Sequence, residues 1–135
     1  MHALLLIAHG SRREDSNVEV RELAARLEQL AGNHFDCVIP AFLELAEPDI
    51  PTGIGLCAKA GATTVTAVPY FLSAGRHVAK DIPAELEKAA REHQSVMVQQ
   101  SDYLGKHLSI TDLLLSLAME NYDPGAKQQP AQATA

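Results

Sequence analysis

The sequence predicts an α/β fold: a three-layer, flavodoxin-like half-lobe in which helices flank a four-stranded parallel sheet of order 2-1-3-4. Three observations carry this. Short apolar or β-branched runs alternate with longer segments of helical spacing, the pattern of β-α units joined by right-handed crossovers. The first run, Leu4-Leu5-Leu6-Ile7, has no polar alternation, as expected of a strand covered on both faces. Two of the runs exit into glycine, histidine and arginine, where such sheets bind their ligands.

Strand one runs from about Ala3 to Ala8. Helix one follows over about Ser16 to Ala31, with Val18, Leu23, Leu27 and Leu30 near helical spacing, Asp15 or Ser16 as N-cap and Gly32-Asn33 as its stop. Strand two spans about Phe35 to Leu43. Its Pro40 lacks a ladder donor, which places the strand toward an edge. Pro48 and Asp49 open helix two, which runs to Gly61 although Pro51, Gly53 and Gly55 are poor helix formers. Strand three is Thr63 to Val68, rich in β-branched residues. A short helical turn around His77 then leads into a longer helix, with Asp81 as its cap and Pro83 in its first turn. Strand four is Ser95 to Gln99, and a last helix covers about Thr111 to Tyr122. One domain is therefore expected over residues 1–122. The Pro-, Gln- and Ala-rich segment from Asp123 to Ala135 reads as a disordered tail.

Composition narrows the class. At 135 residues and 47% hydrophobic content, the chain can bury a substantial core. The apolar run at its start is too short for a membrane span and lacks a basic flank, so a cytoplasmic protein is expected. Cys37 and Cys57 form no CxxC pair and read as buried thiols. A net charge of −6 disfavours nucleic acid and acidic membranes. Yet Arg12, Arg13, Arg76 and Lys80 lie beside two histidines in sequence, which suits a small anionic ligand.

The chemistry-bearing residues sit at strand exits. His9 ends strand one within Ala8-His9-Gly10-Ser11-Arg12, and His77 follows strand three within Ser73-Ala74-Gly75-Arg76-His77. Neutral imidazoles accept protons near pH 7 and ligate divalent metals. Glu44 follows strand two and faces the same cleft, unless it or Glu47 merely favours the next helix N-terminus. Of Tyr70 and Phe71, one belongs to the core and the other can line a flat ligand. His2, His34, His93 and His107 read as structural. Gly10 and Gly75 can offer N–H groups to an anion, but neither belongs to a GxGxxG or Walker pattern.

Three segments, in order, resemble the class II tetrapyrrole chelatases, specifically the small sirohydrochlorin chelatases. They are Leu5 to Arg12, Phe42-Leu43-Glu44-Leu45-Ala46-Glu47-Pro48, and Val68 to Pro83, within a similarity over about residues 3 to 122. The resemblance implies insertion of a divalent metal into sirohydrochlorin in cobalamin or siroheme synthesis. Cobalt is the first candidate, with iron or nickel as alternatives. It implies His9 and His77 as metal-handling and catalytic residues, Glu44 as an acidic partner, and no permanently bound cofactor beyond the metal substrate. Ser11, Arg12, Tyr70, Phe71, Leu72, Ser73, Gly75 and Arg76 are the expected substrate contacts. Longer members of the family hold two lobes in one chain, so this single lobe is expected to work as a homodimer.

Two rival readings remain. A metal or tetrapyrrole carrier needs the same ligands without turnover. A histidine phosphatase is suggested by the His9-Gly10 pair, but Ala8 replaces the arginine that such enzymes need.

Overall fold

The computed structural model describes residues 1–125. Four parallel strands, β1 (His2–Ala8), β2 (Cys37–Phe42), β3 (Thr64–Pro69) and β4 (Met97–Gln100), form one sheet of order β2-β1-β3-β4. The helices are α1 (Glu14–Ala31), α2 (Ile50–Lys59), α3 (Ile82–Glu92) and α4 (Ile110–Met119). A π-helical turn, His77–Asp81, runs into α3, and a 3-10 turn, Leu104–Lys106, precedes α4. The strand order is the expected one, and Pro40 does lie on an edge strand. Among the described residues no helix is long and apolar enough to cross a membrane.

The unalternating β1 serves both faces. Leu5 and Ile7 point into a core shared with Ile50, Ile54 and Cys57 of α2 and with Ile82, Leu86 and Ala89 of α3. Leu4 and Leu6 point the other way, onto α1. Each such side chain is worth about 1.5–3 kcal/mol of burial. Burial pushes the Cys57 thiol up to about 12. Cys37, also shifted up by burial, is only partly covered, which corrects the expectation that both thiols are buried.

Helix α2 forms despite its glycines. Asp49 caps it by accepting from Thr52 N–H at 2.9 Å, a bond that holds the Asp49 carboxyl below its ordinary range. Pro51 sits in the first turn, where its missing N–H costs nothing. A Cβ at Gly53 would stand 2.9 Å from the Leu5 side chain and 3.0 Å from Ala41, so the glycine allows helix and sheet to touch. Packing here overrides propensity.

Three expectations need correction. Helix α1 starts at Glu14 behind Arg13, with no side-chain cap from Asp15 or Ser16. Its covered stripe is Val20, Leu23, Ala24 and Leu27, whereas Val18 and Leu30 are exposed. Val18 lies five residues before Leu23, roughly 140° away around the helix. Leu30 falls in the last turn, because an 18-residue helix of about 27 Å outruns a seven-residue strand of about 23 Å. Asp81 is helical and caps nothing. Its carboxylate is engaged by His77 instead, as described below. Of the expected tail, Asp123 to Gly125 forms a turn closed by Gly125 N–H on the Asp123 carboxylate, and residues 126–135 lie outside the described ones.

Candidate active site

The site begins with backbone pairing that continues past the strands. Tyr70 N–H donates to the Ile7 carbonyl at 2.7 Å, Leu43 N–H to Ala8 at 2.9 Å, and Glu44 N–H to His9 at 3.0 Å. The exits of β1, β2 and β3 are thereby stitched together, with His9 in the middle. Gly10 makes this possible. Its φ is +92°, and a Cβ there would lie 1.7 Å from the Glu44 carbonyl oxygen. Only glycine lets the two loops cross so closely.

His9 and His77 come together. Their ring centroids are 4.8 Å apart with planes at 67°, an edge-to-face pair. Each ring has a carboxylate at hand. His9 Nε2 is 3.1 Å from Glu44 Oε1, and His77 Nδ1 is 2.8 Å from Asp81 Oδ2. His9 Nδ1 also lies 2.8 Å from the Gly10 carbonyl. A carbonyl accepts only, so His9 Nδ1 carries hydrogen, and a neutral His9 keeps its lone pair on Nε2 beside Glu44. The Asp81 carboxylate selects the same tautomer for His77, leaving Nε2 free. A cation or a shared proton is what the space between His9 Nε2 and Glu44 accommodates.

Both imidazoles are 41% exposed, so the pair opens to the surface. Among the described residues no group of three or more His, Cys, Asp and Glu side chains is arranged to hold a metal ion. The two histidines are an open two-nitrogen pair. His2 sits at the opposite end of β1 and His93 at the C-terminal end of α3, away from this edge. His107 accepts from Ser109 N–H through Nδ1 and lines a cavity of about 430 Å³ with Val68, Tyr103, Leu104 and Leu108.

The expected substrate contacts lie beside the pair. Tyr70, Phe71 and Leu72 line a groove of about 310 Å³ with Leu104. Phe71 also packs on the core, while Tyr70 and Leu72 are exposed. Arg12, Ser73, Gly75 and Arg76 are exposed around this edge, and Arg12 and Arg76 form no ion pair with a described residue. Ser11 is half-buried, and its Oγ is engaged in a local turn, accepting from Arg13 N–H at 3.0 Å.

Three elements of the site were not read from the sequence. The first is Asn17, the one buried polar side chain among the described residues, 2% exposed. Its Oδ1 accepts from Ser11 N–H at 2.9 Å, and its Nδ2 donates to the Ser11 carbonyl at 2.8 Å and to Glu14 at 3.2 Å. Glu14 in turn holds Arg21 at 2.6 Å; Arg21 donates to the Glu47 carbonyl at 3.2 Å and lies 5.3 Å from the centre of the Phe42 ring. This clasp joins the loop that carries His9 to the loop that carries Glu44. The Arg21 guanidinium, then Asn17, hold the Glu14 carboxyl below its ordinary range. The second is Asp81, whose i,i+4 spacing from His77 was the available signal. The third is Gly105, where a Cβ would strike the Leu72 carbonyl at 1.8 Å.

The CbiX family model matches residues 3–121. The chain belongs to the CbiX family. The chloroplastic sirohydrochlorin ferrochelatase of Arabidopsis thaliana is 35% identical over 111 residues, covering 82% of this chain and 48% of that protein. The sirohydrochlorin cobaltochelatase of Methanococcoides burtonii is 33% identical over 126 residues, covering 87% of this chain and 94% of that one. A solved CbiX protein of Marinobacter aquaeolei has the same fold, with a TM-score of 0.72 at 30% identity over 89% of this chain and 96% of that one. This CbiX chain thus spans about half the length of some curated relatives and nearly all of others.

Proposed function

We propose that this protein inserts a divalent metal ion into sirohydrochlorin. The observation that carries the reading is the His9–His77 pair at 4.8 Å with a carboxylate on each ring. Metal insertion exchanges two pyrrole N–H protons for one dication. Two nitrogens on one ion with bonds near 2.0–2.1 Å stand roughly 3 Å apart, a spacing that adjacent edge-to-face imidazoles can reach by small rotations. With Nδ1–H committed to the Gly10 carbonyl and to Asp81, both Nε2 lone pairs are left to bind an ion, that of His9 beside the Glu44 carboxylate. Two nitrogen ligands leave most of the metal's positions to water and to the macrocycle, which suits transfer rather than storage.

Glu44, 55% exposed and 3.1 Å from His9, is the proposed proton acceptor and its route to solvent. Arg12 and Arg76 pair with the substrate's carboxylates. Tyr70, Phe71 and Leu72 form the apolar wall, with Ser11, Ser73 and Gly75 framing it. The metal is the substrate, and no permanently bound cofactor is proposed. Cobalt is favoured, because the relatives of M. burtonii and Sulfurisphaera tokodaii, which this chain covers to 94% and 88%, are named cobaltochelatases. Two free thiols fit a cytoplasmic protein.

We also propose a homodimer, since one lobe offers one wall and a broad, flat substrate needs cover on more than one side.

The test is metal-free sirohydrochlorin with Co²⁺, Fe²⁺ or Ni²⁺ under anaerobic conditions, followed by its visible spectrum. Multiple turnovers per protein, fastest with cobalt, support the proposal. Uptake that stops at one equivalent would instead make the protein a carrier.

A further inference from the structure

The loop that carries Glu44 holds a residue that neither local conformation nor packing explains. Leu45 has a φ of +65° and is the one non-glycine residue with a positive φ among the described residues. In that left-handed region the Cβ of an L-residue crowds the following carbonyl, so glycine or asparagine is the usual occupant. Burial would repay a leucine there. Yet Leu45 is 52% exposed and belongs to neither core cluster, whereas Leu43, two residues earlier, packs on the core.

The strained conformation is imposed by the neighbours. Leu43 N–H donates to Ala8 and Glu44 N–H to His9, and the Glu44 carbonyl is pressed against Gly10. At the far end Phe42 N–H donates to the Pro48 carbonyl at 2.8 Å, and Arg21 donates to the Glu47 carbonyl. With both ends of the loop tied down, the chain has to turn at Leu45 and Ala46. A backbone position that is strained, held by its surroundings and of no use to the core marks a functional site.

The place of Leu45 says which function. The exits of β2 and β3 lie on either side of β1, each about 5 Å away. His9 ends β1, and Leu45 stands on the β2 side, directly after the Glu44 that reaches His9 at 3.1 Å. Tyr70 and Leu72 are the exposed apolar side chains on the β3 side. Apolar surface therefore flanks the histidine pair from both sides, and a flat ligand centred on the pair extends over both. Glycine or asparagine would ease the backbone at position 45 but offer no such surface. We infer that Leu45 is a binding determinant for the macrocycle, the apolar contact on the β2 side that answers Tyr70 and Leu72. This rests on the proposed metal insertion and adds a substrate contact to it.

The test titrates metal-free sirohydrochlorin with the full chain, without metal or oxygen, and reads Kd from the visible spectrum; urea unfolding gives stability. Leu45→Asn suits the left-handed backbone and removes the apolar surface. Its Kd should be weaker by roughly five- to tenfold, the worth of covering half a leucine, with an unfolding midpoint equal to or above that of the parent. Leu45→Met keeps the apolar volume and should restore binding to within about twofold of the parent. Leu30→Gln removes a leucine that is 84% exposed in the last turn of α1, at the opposite end of the sheet, and should bind like the parent. Unchanged affinity in Leu45→Asn, beside a parent that binds, would overturn the contact and leave the proposed function standing. So would an equal loss in Leu30→Gln, or a lowered midpoint in Leu45→Asn, which would make the leucine a folding residue. A parent that neither binds nor metallates sirohydrochlorin would remove both.

Discussion

Replacing Asn17 by alanine should loosen the loop that holds His9 without touching the histidine itself. The side chain makes three hydrogen bonds, to Ser11 N–H at 2.9 Å, the Ser11 carbonyl at 2.8 Å and Glu14 at 3.2 Å. A hydrogen bond contributes about 0.5–1.5 kcal/mol net, and a buried group left without a partner costs about 1–3 kcal/mol. Ser11 is half-buried, so water replaces part of what is lost. The expected destabilisation is about 2 kcal/mol, toward the lower part of the summed range. For a domain of this size that corresponds to a fall in Tm of roughly 6–10 °C. Urea unfolding followed by circular dichroism measures it, with the m value unchanged. Turnover should fall as well, because the His9–Gly10–Ser11 turn no longer has one fixed arrangement; a tenfold loss is about 1.4 kcal/mol of misplacement. Asn17→Asp is the sharper variant. It keeps the acceptor for Ser11 N–H but loses both donors and sets a second carboxylate beside Glu14. It should be at least as damaging as alanine at neutral pH and improve as the pH falls. Stability of Asn17→Ala within 0.5 kcal/mol of the parent, with unchanged turnover, would refute the clasp.

Three further outcomes follow from the site. His77→Ala should remove most metal insertion at saturating metal while the unfolding midpoint stays near that of the parent, because the side chain is 41% exposed; Arg76→Ala should mainly raise KM. Cys57, whose thiol burial pushes up to about 12, should resist a thiol reagent at pH 8 in the native protein and react once urea unfolds it; prompt native labelling at Cys57, located by mass spectrometry, would contradict its burial. Glu14 titrates lower in the folded than in the unfolded chain, so its contribution is present above the ordinary carboxylate range and is lost as pH falls through the lowered value. Stability measured from neutral to acidic pH should therefore drop less steeply in Glu14→Gln than in the parent.

Much of this arrangement is written locally in the chain. The four strands followed from apolar and β-branched runs, most plainly in β1, which is covered on both faces and apolar throughout, and their order from the doubly wound pattern of successive β-α units. His9 and His77 could be assigned to one edge for the same reason: they lie immediately past β1 and β3, and adjacent parallel strands end together. Pro40 marked an edge because a proline cannot donate to a central ladder. The features that escaped depend on which distant atoms meet. Asp81 looked like a cap, since its sequence neighbours allow a helix start there. The fold instead runs a π-helical turn straight into α3 and gives the carboxylate to His77. Asn17 looked like an ordinary polar residue in the first turns of α1, and nothing around it in sequence says that Ser11 returns to meet both ends of its amide. Val18 and Leu30 fit a helical spacing, but only the sheet's position and length select the stripe that is covered. The leucines of α4 say that the helix must be buried, a statement about solvent. That these leucines nonetheless stand more than half exposed on the lobe is decided by the tertiary structure alone.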